Sequence, residues 1–401
     1  MMHTDDPDMT PGKHYFRLKG QSAENFLQQL AHQTFLVDWC FPNPKLPDGK
    51  ELCDLLVVFE STVIIWQAKD LKLGNDGNVN EKQVEKNLRQ LGGARRQLMD
   101  LKTPIVLENS RRTSEPFDPS TISDVFLVSV LLGETPAVQH LATRVKSHQC
   151  HVLNREFTEI ALNELDTIGD FCRYLREKER VREHVGSFIL EGGEKELLGY
   201  YLLNGRSFAK LEGHNMVYLE EGTWNDLKSR PEYIARLQAD EVSYVWDELI
   251  ERAHTGDSCE YEKIARELAR PSRFDRRCLA TAYVEAHRIA HARNSDRGIF
   301  RRAMAGGNMT VCFLFTGDAV SREDRKALLD SLCFVTRGMI QNHSVVVGIA
   351  TEMAIRRESS FDYCLLHIPE WGPEQQREME RLQEQTGTLT RAKMCPSGKC
   401  V

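Results

Sequence analysis

Two runs of β-branched and aromatic residues, Glu51–Phe59 and Thr62–Lys69, are separated only by Glu60 and Ser61. Runs of this kind read as strands, and a connection this short reads as a hairpin. If the turn is centred on Glu60–Ser61, opposed residues have numbers that sum to 121, which sets Asp54 across from Gln67. Directly opposed side chains share a face of the sheet, and Lys69, two residues beyond Gln67, points the same way. The hairpin thus gathers a carboxylate, an amide and an ammonium on a patch otherwise built from Leu, Val and Ile.

Elements of alternating type surround it. Ser22 is a candidate N-cap for a helix in which Phe26, Leu27 and Leu30 form one stripe. Phe35–Phe41 is apolar enough for a strand, ended by Pro42, Pro44 and Pro47. Residues 74–80 are a Gly/Asn/Asp loop, and Val84, Leu88, Leu91 and Leu98 mark a long helix interrupted at Gly92–Gly93. Residues 108–121 read as a polar loop, Ile122–Leu132 as a buried strand, His151–Leu153 as a short one, and Arg155–Leu165 and Thr167–Glu179 as helices. The expected fold class is α/β, a mixed sheet flanked by helices.

At 401 residues the chain is long enough for two domains. The charged stretch Arg176–Glu183 is the expected boundary, giving a first domain over residues 20–181 and a second α/β domain over 185–401. The second contains strand-like pieces at Leu197–Leu203, Val311–Thr316, Ser344–Ile349 and Tyr363–Ile368. Its helical pieces fall near Pro231–Arg252, Glu260–Leu268, Arg277–Arg293 and Arg322–Gln341. Residues 1–19 read as a disordered leader without the basic and apolar blocks of a signal peptide. Eleven scattered cysteines suggest reduced thiols and a cytoplasmic protein; the closest pair, Cys395 and Cys400, lacks the second pair a zinc site needs. No apolar run is long enough to span a membrane.

The residue types at the hairpin suit phosphodiester hydrolysis, which requires neutralisation of the phosphate and an activated water. A carboxylate and an amide oxygen can hold Mg²⁺, and a lysine can stabilise developing negative charge. The pattern Asp54, a dozen residues, then Gln67-Ala-Lys69 resembles the PD-(D/E)XK nuclease superfamily, in the subgroup that carries Gln where most members carry Glu. The resemblance covers residues 20–180. It implies a restriction-endonuclease-like fold, Asp54 and Gln67 as metal ligands, Lys69 as the catalytic lysine, and Glu24 on the first helix as an acidic residue beside the metal. It places Gln90 or Lys86 where some members contact the substrate backbone. Mg²⁺ is the implied cofactor, with Mn²⁺ as a substitute, and DNA is favoured over RNA. Cys53 stands where the motif's proline would be, and Gln67 brings one negative charge fewer than Glu. The function implied is that of a defence effector cutting foreign DNA, with the second domain serving sensing, targeting or assembly, through a partner protein or a second copy. The alternative is a weakened nuclease fold that binds nucleic acid or protein.

Although the net charge is −7, Glu262–Arg302 carries eleven Lys/Arg against five Asp/Glu. Arg276 and Arg277 in this segment are candidate phosphate contacts, against the plainer reading of solvated helix faces. His287 and His291, four apart on a helix, read as a surface pair, and Gly348–Glu352 as a strand-to-turn passage.

Overall fold

The computed structural model describes residues 23–70, 81–100, 104–109, 111–132, 142–145, 148–256, 259–293, 295–306, 309–354 and 359–387. The leader, the loop 74–80 and the Cys395/Cys400 pair lie outside them. The chain divides into two compact units between Leu237 and Gln238.

The first unit runs through α1 (Ala23–Phe35), β1 (Cys40–Pro42), β2 (Leu55–Phe59), β3 (Thr62–Asp70), α2 (Glu81–Met99), β4 (Val106–Asn109), β5 (Arg112–Pro116), β6 (Asp124–Leu132), β7 (Ala142–Val145), β8 (His148–Asn154), α3 (Arg155–Glu164) and α4 (Ile168–His184). Six strands form a mixed sheet in the order β1-β2-β3-β6-β8-β7, with β3, β6 and β8 parallel. Helix α2 covers one face, setting Leu91, Ala94 and Leu98 in a core with Leu56, Val58, Val63, Ile65 and Leu127. Helices α1 and α3 cover the other. There the buried Trp66 ring stacks on Phe171 at 5.5 Å, with Phe35 at 6.3 Å. Each large apolar side chain so buried contributes about 1.5–3 kcal/mol.

Three local expectations are corrected. Most of Phe35–Phe41 is not strand: α1 runs to Phe35, Leu36 takes a left-handed φ of 62°, and Val37–Trp39 is a 3₁₀ turn. That run is apolar because Phe35, Trp39 and Phe41 are all buried, whatever their backbone state. The polar loop 108–121 holds part of the β4/β5 hairpin. Helix α2 passes unbroken through Gly92 and Gly93, and a Cβ at Gly93 would meet open space, so no neighbour presses on the backbone at Gly93.

The unit continues with β9 (Ser187–Leu190), α5 (Glu194–Leu203), β10 (Met216–Leu219), α6 (Thr223–Ser229) and α7 (Pro231–Asp240). Leu197–Leu203, expected as a strand, is the core of α5. A short, almost wholly apolar run carries no periodicity to separate a buried helix from a buried strand. The charged stretch Arg176–Glu183 is part of α4 rather than a linker. Lys178 within it is wholly buried and bonded to Glu194 at the start of α5, which ties the following segment to the first unit. Burial holds Lys178 below the usual lysine range and pushes Glu194 above the usual carboxylate range.

The next residue of α4, Glu179, meets the buried His151 of β8, with Oε1 and Nε2 3.0 Å apart. Burial pushes Glu179 from 4.5 up to about 7 and His151 well down, so both favour their neutral forms. A carboxyl with a raised folded pKa binds more protons folded than unfolded. Its contribution is present below about pH 4.5 and is lost as pH rises towards about 7. Glu179→Gln is therefore expected to gain stability relative to the parent chain across that window. Urea midpoints taken along a pH series would show this; a difference that stays constant with pH would refute it.

The second unit contains α8 (Tyr244–His254), α9 (Cys259–Ala269), α10 (Arg273–Ala292), β11 (Ile299–Gly306), β12 (Met309–Thr316), α11 (Arg322–Met339), β13 (Val345–Glu352), β14 (Asp362–His367) and α12 (Pro373–Thr386). Its sheet has the order β11-β12-β13-β14, with only β12 and β13 parallel. Helix α11 packs Leu329, Leu332 and Cys333 onto Cys312, Leu314, Val346 and Ala350. Gly348 lies beneath it, where an added Cβ would come within 2.4 Å of Cys333 Sγ, so this passage serves packing. Among the described residues no helix is long and apolar enough to cross a membrane.

Candidate active site

Strands β2 and β3 pair as Leu55↔Trp66, Leu56↔Ile65, Val57↔Ile64, Val58↔Val63 and Phe59↔Thr62. Glu60 and Ser61 form the turn, with Glu60 at a φ of 53°. A positive φ at the first position is what two-residue hairpin turns require, and Glu60 accepts it although Asn, Asp or Gly is favoured there. One step past the last pair, Asp54 meets Gln67: the amide Nε2 donates to Asp54 Oδ1 at 2.6 Å. The Ala68 backbone N–H donates to Oδ2, also at 2.6 Å. Both carboxylate oxygens are thereby fixed at the open end of the hairpin, beside the apolar patch of Leu56, Val58, Val63 and Ile65.

Lys69, two residues along β3, shares the face of Gln67 and is half-buried. Its ammonium makes no hydrogen bond or ion pair with the described residues. A lysine ammonium carries three donors and could serve a ligand at this position.

The polar row extends across the sheet. Gln67 pairs in register with Ser129 of β6, and the Ser129 hydroxyl accepts from Asn87 Nδ2 of α2 at 2.8 Å. Asn87 and Ser129 are both buried, and Asn87 Oδ1 has no hydrogen-bond partner among the described residues. Asn87, not Gln90 or Lys86, is the α2 residue turned towards this row; Gln90 and Lys86 are both exposed. The sequence carries a signal for it: Asn87 stands in the stripe of Val84, Leu88, Leu91 and Leu98, and a polar residue at such a position needs a partner. Ser129 is likewise a small polar residue inside the apolar strand Asp124–Leu132. The side chain of Glu24, on α1, lies outside the described residues.

Among the described residues no three His, Cys, Asp or Glu side chains converge to hold a metal ion. Among the described residues, Asp54 and the Gln67 amide oxygen are the donors that could hold a divalent ion here. The donor types fit Mg²⁺, which binds oxygen and keeps several of its waters. For Gln67 to take part, its amide must turn so that the oxygen replaces the nitrogen now facing Asp54.

Arg276 and Arg277 belong to the second unit. Arg276 is 3% exposed and its guanidinium is spent on Asp247, at 2.7 Å, and on the backbone oxygens of Pro271 and Ala269. A guanidinium so enclosed stabilises the helix junction and cannot meet a phosphate backbone. Arg277 pairs with Asp240 at 3.1 Å and stacks on Phe274. The histidine pair is structural as well. His287 and His291 lie 3.1 and 3.2 Å from the carbonyl oxygens of Glu352 and Met353, and the His287 ring stacks on Phe315.

No family model, curated protein or solved structure matches this chain.

Proposed function

We propose that the first unit is a Mg²⁺-dependent nuclease of the PD-(D/E)XK type, hydrolysing phosphodiester bonds, with DNA the favoured substrate and Mn²⁺ able to replace Mg²⁺. The observation that carries this reading is the hairpin register, which puts Asp54 and Gln67 in contact and Lys69 on the same face. Asp54 and Gln67 would hold the ion, which supplies charge neutralisation at the phosphate and acidification of water. Asp54 provides the negative charge, and the bond from the Ala68 N–H fixes its orientation. Lys69 would donate to a phosphate oxygen or to the attacking water, stabilising charge as it develops. Asn87 and Ser129 would keep the sheet behind Gln67 rigid.

The biological role that goes with this is a cytoplasmic defence effector acting on foreign DNA, with the second unit serving sensing, targeting or assembly. Incubating the full chain with plasmid DNA, and separately with RNA, in Mg²⁺ or in EDTA tests the reaction. Cleavage in Mg²⁺ alone supports the nuclease.

One observation favours a second reading, a nuclease fold that only binds nucleic acid or protein: among the described residues no three His, Cys, Asp or Glu side chains converge to hold a metal ion. Salt-sensitive binding without cleavage under any divalent metal would select it.

Gln67→Glu discriminates further. Two carboxylates in the contact now made by an amide and a carboxylate repel unless a cation lies between them. The variant is expected to bind Mg²⁺ more tightly in calorimetry, and to melt lower than the parent chain in EDTA but not in Mg²⁺. Weaker Mg²⁺ binding would remove Gln67 from the ligand set.

A further inference from the structure

Three cysteines of the second unit come together beneath α11. Cys312 of β12, Gly348 of β13 and Cys364 of β14 stand side by side in register, on one face of the sheet. Cys333 of α11 sits over the glycine, in the space that a Cβ at Gly348 would fill. Its Sγ lies 3.5 Å from Cys312 Sγ, and it is also hydrogen-bonded to Cys364. Neighbouring strands are about 4.8 Å apart, so the backbones of Cys312 and Cys364 stand about 10 Å apart with the helix cysteine between them.

The three thiols differ in access. Cys312 and Cys333 are 0% exposed, whereas Cys364 is partly exposed on an outer strand of the sheet. Hydrogen bonds to both neighbours, together with burial, push the Cys333 thiol well above its ordinary range. Cys333 is therefore a poor first nucleophile towards a solute, because the thiolate is the reactive form. Three sulfurs in a row, the central one touching both others, suit thiol–disulfide exchange, in which one sulfur attacks a second and displaces a third.

We propose that this row is an oxidation site for hydroperoxides, at which Cys364 reacts first and the oxidation ends as a Cys312–Cys333 disulfide. The Cys364 sulfur attacks the terminal peroxide oxygen and the O–O bond breaks. The leaving oxygen takes up the thiol proton, giving a sulfenic acid and an alcohol, or water from hydrogen peroxide. Cys333 Sγ then attacks the Cys364 sulfur, which expels water and forms the Cys333–Cys364 bond. Cys312 attacks Cys333 from the opposite side, returning Cys364 as a thiol and leaving Cys312 bonded to Cys333. In sum two thiols lose two electrons and two protons to the peroxide. The product ties α11 to β12, and the site is independent of the chemistry at Asp54.

Equimolar hydrogen peroxide added to the reduced full chain, followed by alkylation and peptide mapping by mass spectrometry, tests this. The expected product is a Cys312–Cys333 link within one chain, reversed by dithiothreitol, with Cys364 alkylated as a free thiol. Cys364→Ser is expected to slow the link about tenfold or more at unchanged melting temperature, because the remaining pair has no exposed member. In Cys333→Ala, dimedone is expected to label Cys364, whose sulfenic acid has lost the thiol it condenses with. No Cys312–Cys333 link, a link formed equally fast by Cys364→Ser, or dimedone labelling that spares Cys364 would each overturn the assignment.

Discussion

Lys69→Ala is expected to lower Mg²⁺-dependent cleavage by about 10²–10³-fold, the loss typical of removing one donor aimed at developing charge. The fold should be unaffected, because the ammonium has no described partner to orphan and the residue stands near the end of β3. Asp54→Asn is expected to give an equal or larger loss by a different route. Its amide oxygen can still accept from the Ala68 N–H, so the hairpin end stays closed, but the negative charge that attracts the ion is gone. Calorimetry separates the two: Lys69→Ala should retain Mg²⁺ affinity, and Asp54→Asn should lose it. Full cleavage by Lys69→Ala would sink the nuclease reading, and unchanged Mg²⁺ affinity in Asp54→Asn would detach the metal from this hairpin.

The hairpin was readable because a strand's period of two and a two-residue turn leave only one register that buries Leu56, Val58, Val63 and Ile65 together. Once Glu60 and Ser61 are the turn, every pairing follows, including the contact of Asp54 with Gln67. The strands of the second unit were readable for a related reason: Val311–Thr316 and Ser344–Ile349 are short runs rich in β-branched and aromatic residues, and all but Ser344 lie in β12 and β13. Apolar runs without alternation were not. Leu197–Leu203 is buried on several sides as a helix, and burial alone says nothing about backbone state.

Charge misled as well. The Arg176–Glu183 stretch looked like a solvated boundary, yet Lys178 is buried against Glu194 and the units divide some fifty residues later. The basic segment offered Arg276 as a candidate phosphate contact, against the plainer reading of a solvated helix face, yet Arg276 is enclosed by Asp247 and two carbonyls. A count of charges cannot distinguish a guanidinium facing water from one whose carboxylate partner arrives from a distant part of the chain. Arg206 with Asp170, and Arg236 with Glu164, are pairs of that kind.

Arg325→Ala carries the largest expected effect on stability, a loss of about 3–5 kcal/mol from the second unit, as for other buried pairs deprived of one partner. The Arg325 side chain is 4% exposed and that of Asp362, at the start of β14, is 0% exposed. The guanidinium spends Nε and Nη2 on Asp362 at 2.7 and 2.6 Å, Nη1 on Glu352 at 2.8 Å, and Nη2 on the Ser360 hydroxyl at 2.6 Å. It thus joins α11 to the ends of β13 and β14, and its removal leaves two carboxylates close together with little solvent to screen them. Arg322 is the internal control. It also reaches Asp362, at 2.8 Å, but its side chain is 58% exposed, so Arg322→Ala should cost only about 0.2–1 kcal/mol. Urea unfolding of the two variants at neutral pH measures the contrast. Equal losses would mean that Asp362 is neutralised chiefly from the surface and that the buried guanidinium is not what holds these strand ends to α11.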